Sequence, residues 1–383
     1  MNKRTWAVVD IDALKHNYNL ARSLTGVRVM PVIKADAYGH GAVPCAEALC
    51  EAGADALSIS CVDEAIELRR AGIRAELLIL GYTAPESFAV LLEDRITQTV
   101  MSVEYARALS DFARARGERV RVQIKLDTGM GRLGLFDRED WAAQDCAREV
   151  LEICALEGLS VGGIFTHFAS SDVAGDDFTR QQAARFQKTV SLAEEAGAIL
   201  PVKHCSNSGA ILNCPQLHAD LVREGIMLYG YTPDPSCPDP GLRPVMELKS
   251  VLAFRSILRA GETVSYGRTF RAERDLPIGV IPVGYADGYP RALSNRAWVT
   301  IGGKKCPIVG RVCMDQMMVD LSAAPDAPVG TEVTLFGGDG PSCSELAELA
   351  GTIHYELLCA LAARVPHLYL RGGKIVEERS RIV

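Results

Sequence analysis

The sequence predicts an α/β chain, a (β/α)8 TIM barrel followed by a mainly β carboxy-terminal domain. Two patterns predict it. Through residue 232, short aliphatic or β-branched runs alternate with Ala-, Glu- and Arg-rich runs of helical period. The stretch Pro233-Asp234-Pro235-Ser236-Cys237-Pro238-Asp239-Pro240 then interrupts, because it can sustain neither a helix nor an inner strand. Beyond it come short alternating runs split by Gly and Pro turns. The chain of 383 residues is long enough for two such domains, 1–232 and 233–383, each with its own core.

Eight runs read as barrel strands: 30–35, 56–60, 77–80, 97–101, 120–126, 161–167, 202–205 and 221–224. Helical segments lie between them at 42–52, 62–71, 85–93, 103–116, 139–157, 178–196 and 208–216. A further helix is expected at 11–23, capped by Asp10 or Asp12. Eight strands alternating with helices fit a closed barrel, and a doubly wound sheet is the main rival on pattern alone. In the second domain, strands are expected at 246–257, 276–283, 297–301, 304–312, 317–320 and 332–336, with helices at 343–350 and 354–363. The strand-like residues 4–9 find no place in the barrel count and are expected to pair with the second domain.

Composition narrows the function. The net charge is −7 with acids and bases interspersed, whereas a phosphate backbone needs a basic face. The twelve cysteines are scattered without a C-x-x-C pair, which reads as reduced thiols and offers no zinc-ligand spacing. The amino terminus shows no apolar signal region with a cleavage site, and no run approaches a membrane span. A cytoplasmic protein without a metal is the expectation.

In a barrel, chemistry gathers at the carboxyl ends of the strands. Those ends hold Lys34, Lys125, Arg132, His167, Asn207, Ser208 and Arg223, a polar and largely cationic set. A lysine at the inner end of a buried strand loses solvation, and the neutral amine can then form a Schiff base or accept a proton. The alternative is a lysine snorkelling at the barrel mouth. Gly129-Met130-Gly131-Arg132-Leu133-Gly134 satisfies G-x-G-x-x-G, but no helix begins inside it and strand five is the wrong place for a dinucleotide fingerprint. A tight turn either aims Arg132 inward at a carboxylate or phenolate or leaves it solvated. His167 is either a satisfied core histidine or a stacking partner for a planar ring. Arg223 and Glu224 are neighbours in a strand and point to opposite faces, which weakens a pairing between them. Backbone N–H groups at Asn207-Ser208-Gly209 and Gly225-Ile226 suit either a plain helix cap or a phosphate. Tyr266 before Gly267, and Cys313-Met314-Asp315, read singly as packing and as a turn.

Together the motifs resemble the alanine racemases. The resemblance rests on VIKADAYGHG around Lys34, KLDTGMGRLG around Arg132, THFA around His167, SNS ending at Ser208, VREGIMLYG around Arg223, SYGRTF around Tyr266, GYADGYPR ending at Arg291, GRVCMDQ around Met314 and IHYE around Tyr355. It spans the whole chain in order. It implies a pyridoxal phosphate (PLP) enzyme of fold type III, working as a head-to-tail homodimer and supplying D-alanine for peptidoglycan. Lys34 would carry PLP and act as base for the D-enantiomer, with Tyr266 of the partner subunit as base for the L-enantiomer. Arg132 would contact the PLP phenolic oxygen and the substrate carboxylate, and the N–H of Met314 of the partner subunit would bind that carboxylate as well. Tyr38, Ser208, Gly225, Ile226 and Tyr355 would hold the cofactor's phosphate, and Asn207 would belong to the cofactor-binding set. His167 would stack on the ring and link Tyr266 to Arg223. Lys125, resembling a lysine often carbamylated in the family, and Asp315 would support them. Asp172, His204, Arg291, Arg311 and Ile353 would line a narrow substrate access. His354 stands where a small residue is usual. The alternatives are a serine or broad-specificity racemase, a fold-III decarboxylase, or a PLP-binding regulatory barrel, though the last lacks a second domain and its tyrosine.

Overall fold

The computed structural model describes residues 4–137 and 142–382. The chain divides into two compact units. One combines Leu14–Ala37 with Ala42–Arg243, and the other combines the residues up to Ala13, Tyr38–Gly41 and the chain from Pro244.

The first unit is the barrel. Its parallel strands are Arg28–Pro31, Ala56–Ile59, Glu76–Ile79, Thr97–Val100, Val120–Asp127, Leu159–Phe165, Lys203–His204 and Leu221–Glu224. The last pairs with the first from Leu221↔Arg28 to Glu224↔Pro31. A Val32↔Ser58 bridge joins the first to the second. Asp220 N–H on Lys203 O (3.1 Å) and Arg223 N–H on Ser206 O (3.0 Å) tie the seventh to the eighth, closing the ring. Strands buried on both faces need no polar alternation, so Ala56–Ile59 and Thr97–Val100 are buried throughout. The surrounding helices bury one stripe each. Helix Val103–Arg114 hides Val103, Ala106, Leu109 and Ala113, at helical spacing, and Ser102 caps it by accepting from the Tyr105 N–H at 3.1 Å. The start of the expected helix 139–157 lies outside the described residues, and helix Ala142–Cys154 follows.

One expectation is corrected. The first barrel strand stops at Pro31 instead of running through Lys34. Lys34–Gly39 forms a helical turn in which residues 35 to 38 have φ of +51° to +53° and Gly39 has +80°. The turn is left-handed. A left-handed turn of L-residues costs roughly 1–2 kcal/mol per residue, so surrounding structure must hold it.

The second unit is mainly β. One sheet runs Lys304–Pro307, Trp298–Ile301, Glu332–Phe336, Met246–Val251, Thr5–Asp10, His367–Arg371, Lys374–Arg379. Strand Thr5–Asp10 pairs antiparallel with Met246–Val251 and parallel with His367–Arg371. Strands Phe254–Leu258, Leu276–Ile281 and Met317–Asp320 form a smaller sheet over a cluster of Leu258, Ala272, Leu276, Ile278, Val309 and Met318. The terminal hairpin was not expected from the sequence. Among the described residues no helix is long and apolar enough to cross a membrane.

Candidate active site

Arg223 is the hub of the barrel's polar interior. It is 3% exposed in a fully buried strand. Its Nη1 donates to His204 Nδ1 at 2.6 Å, and its Nη2 donates to His167 Nδ1 at 3.2 Å, Thr166 O at 2.8 Å and Cys205 O at 3.0 Å. A guanidinium only donates, so each imidazole accepts at Nδ1 and carries its proton on Nε2. His204 agrees, because its Nε2–H donates to Gln123 Oε1 at 2.5 Å. Burial first, and then the charges of Arg223 and Lys125, hold both histidines well below the ordinary imidazole range. They are neutral at pH 7. Burial lowers Arg223 to about 10, which leaves it a cation.

Lys125, at 6% exposure, donates its Nζ to Leu126 O at 2.7 Å. Burial, assisted by Arg223, pulls it down to about 7, so much of it is free amine at neutral pH. Phe165 stacks on His204 with centroids 4.8 Å apart and lies 5.3 Å from both Lys125 Nζ and Arg223 Cζ.

Asp127 shapes the loop that carries Arg132. Its carboxylate accepts the N–H groups of Gly129 (3.0 Å), Gly131 (3.0 Å) and Arg132 (2.8 Å). Gly134 closes that loop at φ +125°, where a Cβ would meet Asp127 N and Lys125 O at 2.7 Å. The loop leaves Arg132 exposed, its guanidinium without an ion pair among the described residues. Lys34 is half-buried at the head of the left-handed turn. Its charge and that of Arg132 both act on His167. The structure thus gathers Lys34, Lys125, Arg132 and Arg223 around one neutral imidazole.

Ser208 begins helix Ser208–Asn213, and its Oγ accepts from Gly225 N–H at 3.0 Å and Met227 N–H at 3.4 Å. Gly225 therefore spends its N–H inside the protein, while Ile226 N–H and the Ser208 hydroxyl proton stay available among the described residues. Asn207 caps the helix, its Oδ1 accepting from Ala210 N–H at 3.0 Å and Ser171 Oγ at 2.6 Å. Asp172 is half-buried, and its carbonyl accepts from Asn213 Nδ2 and Cys237 Sγ at 3.1 Å each. His204 is corrected. It was expected at the substrate access, but it is fully buried between Arg223 and Gln123 and meets no solvent.

The second unit carries the rest. Tyr266 is 74% exposed, in a turn where Ser265 (φ +70°) and Arg268 (φ +50°) are left-handed. Met314 is also exposed; its carbonyl accepts from Ala286 N–H at 3.0 Å, while its own N–H makes no bond among the described residues. Asp315 accepts from Arg364 at 2.7 Å. Tyr38 and Tyr355 face each other with ring centroids 6.0 Å apart, and burial pushes the Tyr38 phenol up. Arg291 and Ile353 are exposed and Arg311 half-buried. His354 is buried, which lowers it to about 4. Three residues went unremarked in the sequence. Asp127 is signalled only by an Asp before Thr-Gly-x-Gly. Asp287, fully buried between Arg4 and Arg364 at 2.7 Å each, is signalled only by its place inside GYADGYPR, and Gln123 carries no local signal at all.

Residues 9–233 match the alanine racemase N-terminal domain and residues 245–369 the alanine racemase C-terminal domain. The chain belongs to the alanine racemase family. An alanine racemase of Desulfovibrio desulfuricans is 45% identical over 96% of this chain and 99% of its own length. One of Clostridium perfringens is 43% identical, covering 98% of each chain. Among solved structures, an alanine racemase of Clostridium difficile superposes with a TM-score of 0.95 at 37% identity over the whole of both chains. Alanine racemisation is the activity of this family and of this chain, on a (β/α)8 barrel with a β domain.

Proposed function

We propose that the chain interconverts L- and D-alanine with PLP and two opposed bases, Lys34 on one face and Tyr266 of the partner subunit on the other. The barrel residues fit such a cofactor. Lys34, Arg132 and Arg223, with Lys125 only partly charged, surround a site whose Asp127 is spent on backbone N–H groups, so an anionic group with a phosphate and a phenolic oxygen completes the charge. Lys34 would hold its aldehyde carbon, Arg223 its ring nitrogen, Arg132 its phenolic oxygen, and Ser208 with Ile226 its phosphate. When bound, PLP supplies an electron sink that makes the alanine Cα proton removable.

The remaining work falls to the chain. Racemisation needs bases on opposite faces, because a single base tends to return the proton to the face it left. The single observation that carries this reading is Arg223 bound to two neutral imidazoles. Its fixed donation sets the His167 tautomer and leaves the His167 Nε2–H as a donor that would orient the oxygen of Tyr266 of the partner subunit. The N–H of Met314 of the partner subunit, which makes no bond among the described residues, and Arg132 suit the substrate carboxylate. A homodimer in the cytoplasm, feeding D-alanine to peptidoglycan synthesis, completes the proposal. Deuterium wash-in tests the division of labour. Tyr266→Ala should slow exchange from L-alanine at least about tenfold more than from D-alanine; equal losses would overturn it. A kcat/KM for serine at or above that for alanine would move the substrate reading to the broader racemases.

A further inference from the structure

The end of the barrel where its strands begin, opposite the cationic rim, holds a cavity of about 250 Å³ that opens to solvent past the exposed Arg28, Arg121 and Ser160. It is lined by Arg28, Glu76, Thr97, Arg121, Gln123 and Ser160, all at the starts of barrel strands except Gln123, which lies deeper. Donors dominate. Asp55 takes one arm of Arg28 at 2.9 Å, and Arg121 has no hydrogen bond or ion pair for its guanidinium among the described residues. Glu76 accepts the Thr97 hydroxyl at 2.9 Å, which ties down the one carboxylate of the lining.

Gln123 sits at the inner end with 3% of its surface exposed. Its orientation follows from the chain of donors above it. Arg223 forces His204 to carry its proton on Nε2, so the amide oxygen of Gln123 must face His204. The amide Nε2 then has two donors that no described residue accepts. Space for an occupant is kept open by glycine: a Cβ on Gly162 would meet only Val122 O at 3.7 Å, whereas one on Gly163 would strike Val202 O at 2.3 Å. Gly163 is needed for packing, and Gly162 is not.

We infer that this cavity binds a small oxyanion, a carboxylate or a phosphate, held by Arg121, Arg28 and the Gln123 amide, and that its occupancy reaches Arg223 through Gln123 and His204. Donation from Gln123 Nε2 to an anion polarises its carbonyl, strengthens the acceptor offered to His204 Nε2–H, and makes His204 Nδ1 a better acceptor for Arg223. The binding half stands apart from the proposed mechanism; the kinetic half rests on Arg223 acting in it.

The test uses holoenzyme, whose phosphate-binding residues are already occupied. Inorganic phosphate and acetate are titrated by calorimetry against chloride at equal ionic strength, and alanine kinetics are run at each concentration. The expected result is saturable binding of at least one anion with a change in kcat that alanine does not compete away; which anion binds identifies the source. Arg121→Ala should weaken binding at least about tenfold, and Gly162→Val should abolish it, each with anion-free kcat retained. If Gly162→Val fails to fold, Ser160→Leu fills the same mouth. No binding overturns the site. Binding that both variants leave intact, or that competes with alanine, places the anion in the active site and also overturns it. Binding without a kinetic change overturns the coupling.

Discussion

At the scale of the residue, one guanidinium organises the site. Arg223 can only donate, so the tautomers of His167 and His204 follow from where it points, and burial keeps both neutral. Its neighbour Glu224 has the opposite fate. It faces away from the barrel interior, is fully buried, and neither carboxylate oxygen has a partner among the described residues. Burial drives its pKa well above the ordinary carboxylate range. An acid raised in the folded state stabilises fully only below its unfolded value, about 4.3, and loses that contribution as pH rises toward the folded value. Glu224→Leu should therefore stabilise the chain, and by roughly 1–3 kcal/mol more at pH 8 than at pH 4. Urea midpoints at the two pH values check this, and equal gains would mean that the carboxylate titrates normally. Alternation in the sequence separates Arg223 from Glu224. It does not reveal that Glu224 meets no partner, because that depends on what packs against the strand.

At the scale of the element, the left-handed turn Lys34–Gly39 is the least expected piece. Its residues Ala-Asp-Ala-Tyr carry no glycine signal before Gly39, so local propensity favours an ordinary conformation. Surrounding bonds impose the other hand: Ala35 N–H donates to Glu64 at 2.6 Å, Ala37 N–H to Ile33 O at 2.8 Å and Ala42 N–H to Asp36 at 2.7 Å. Ala35 is exposed, so substitutions there test the backbone apart from packing. Ala35→Gly should change stability by no more than about 1 kcal/mol, since relief of strain offsets the looser unfolded chain. Ala35→Val, β-branched at positive φ, should lose roughly 1–3 kcal/mol. Thermal melts decide it, and equal effects of the two would mean that the left-handed geometry is not strained.

At the scale of the whole molecule, the two proposed bases belong to separate compact units, and Tyr266 lies 74% exposed on its own. A phenol in water is a poor base at neutral pH, because its ordinary pKa is near 10. A second copy that covers Tyr266 and brings it to a cationic rim answers both points. Dilution below the dimer dissociation constant should then abolish racemisation in step with loss of dimer. Analytical ultracentrifugation paired with activity assays measures it, and an active monomer would refute the shared site.

The barrel, the β domain and most of the cationic rim are legible in the sequence, because hydrophobic period and Gly/Pro punctuation are local properties. Arg223, Lys125 and His167 stand out for the same reason: they end or interrupt apolar runs. The function is legible through nine ordered motifs rather than through any one residue. What the sequence leaves open are relations across the fold. The handedness of the turn after Lys34, the burial of His204 behind Arg223, the carboxylate of Asp127 spent on its own loop, and the passage from Gln123 through His204 each depend on residues far apart in the chain. A hydrogen bond depends on distance and direction between groups, and only the folded chain sets those.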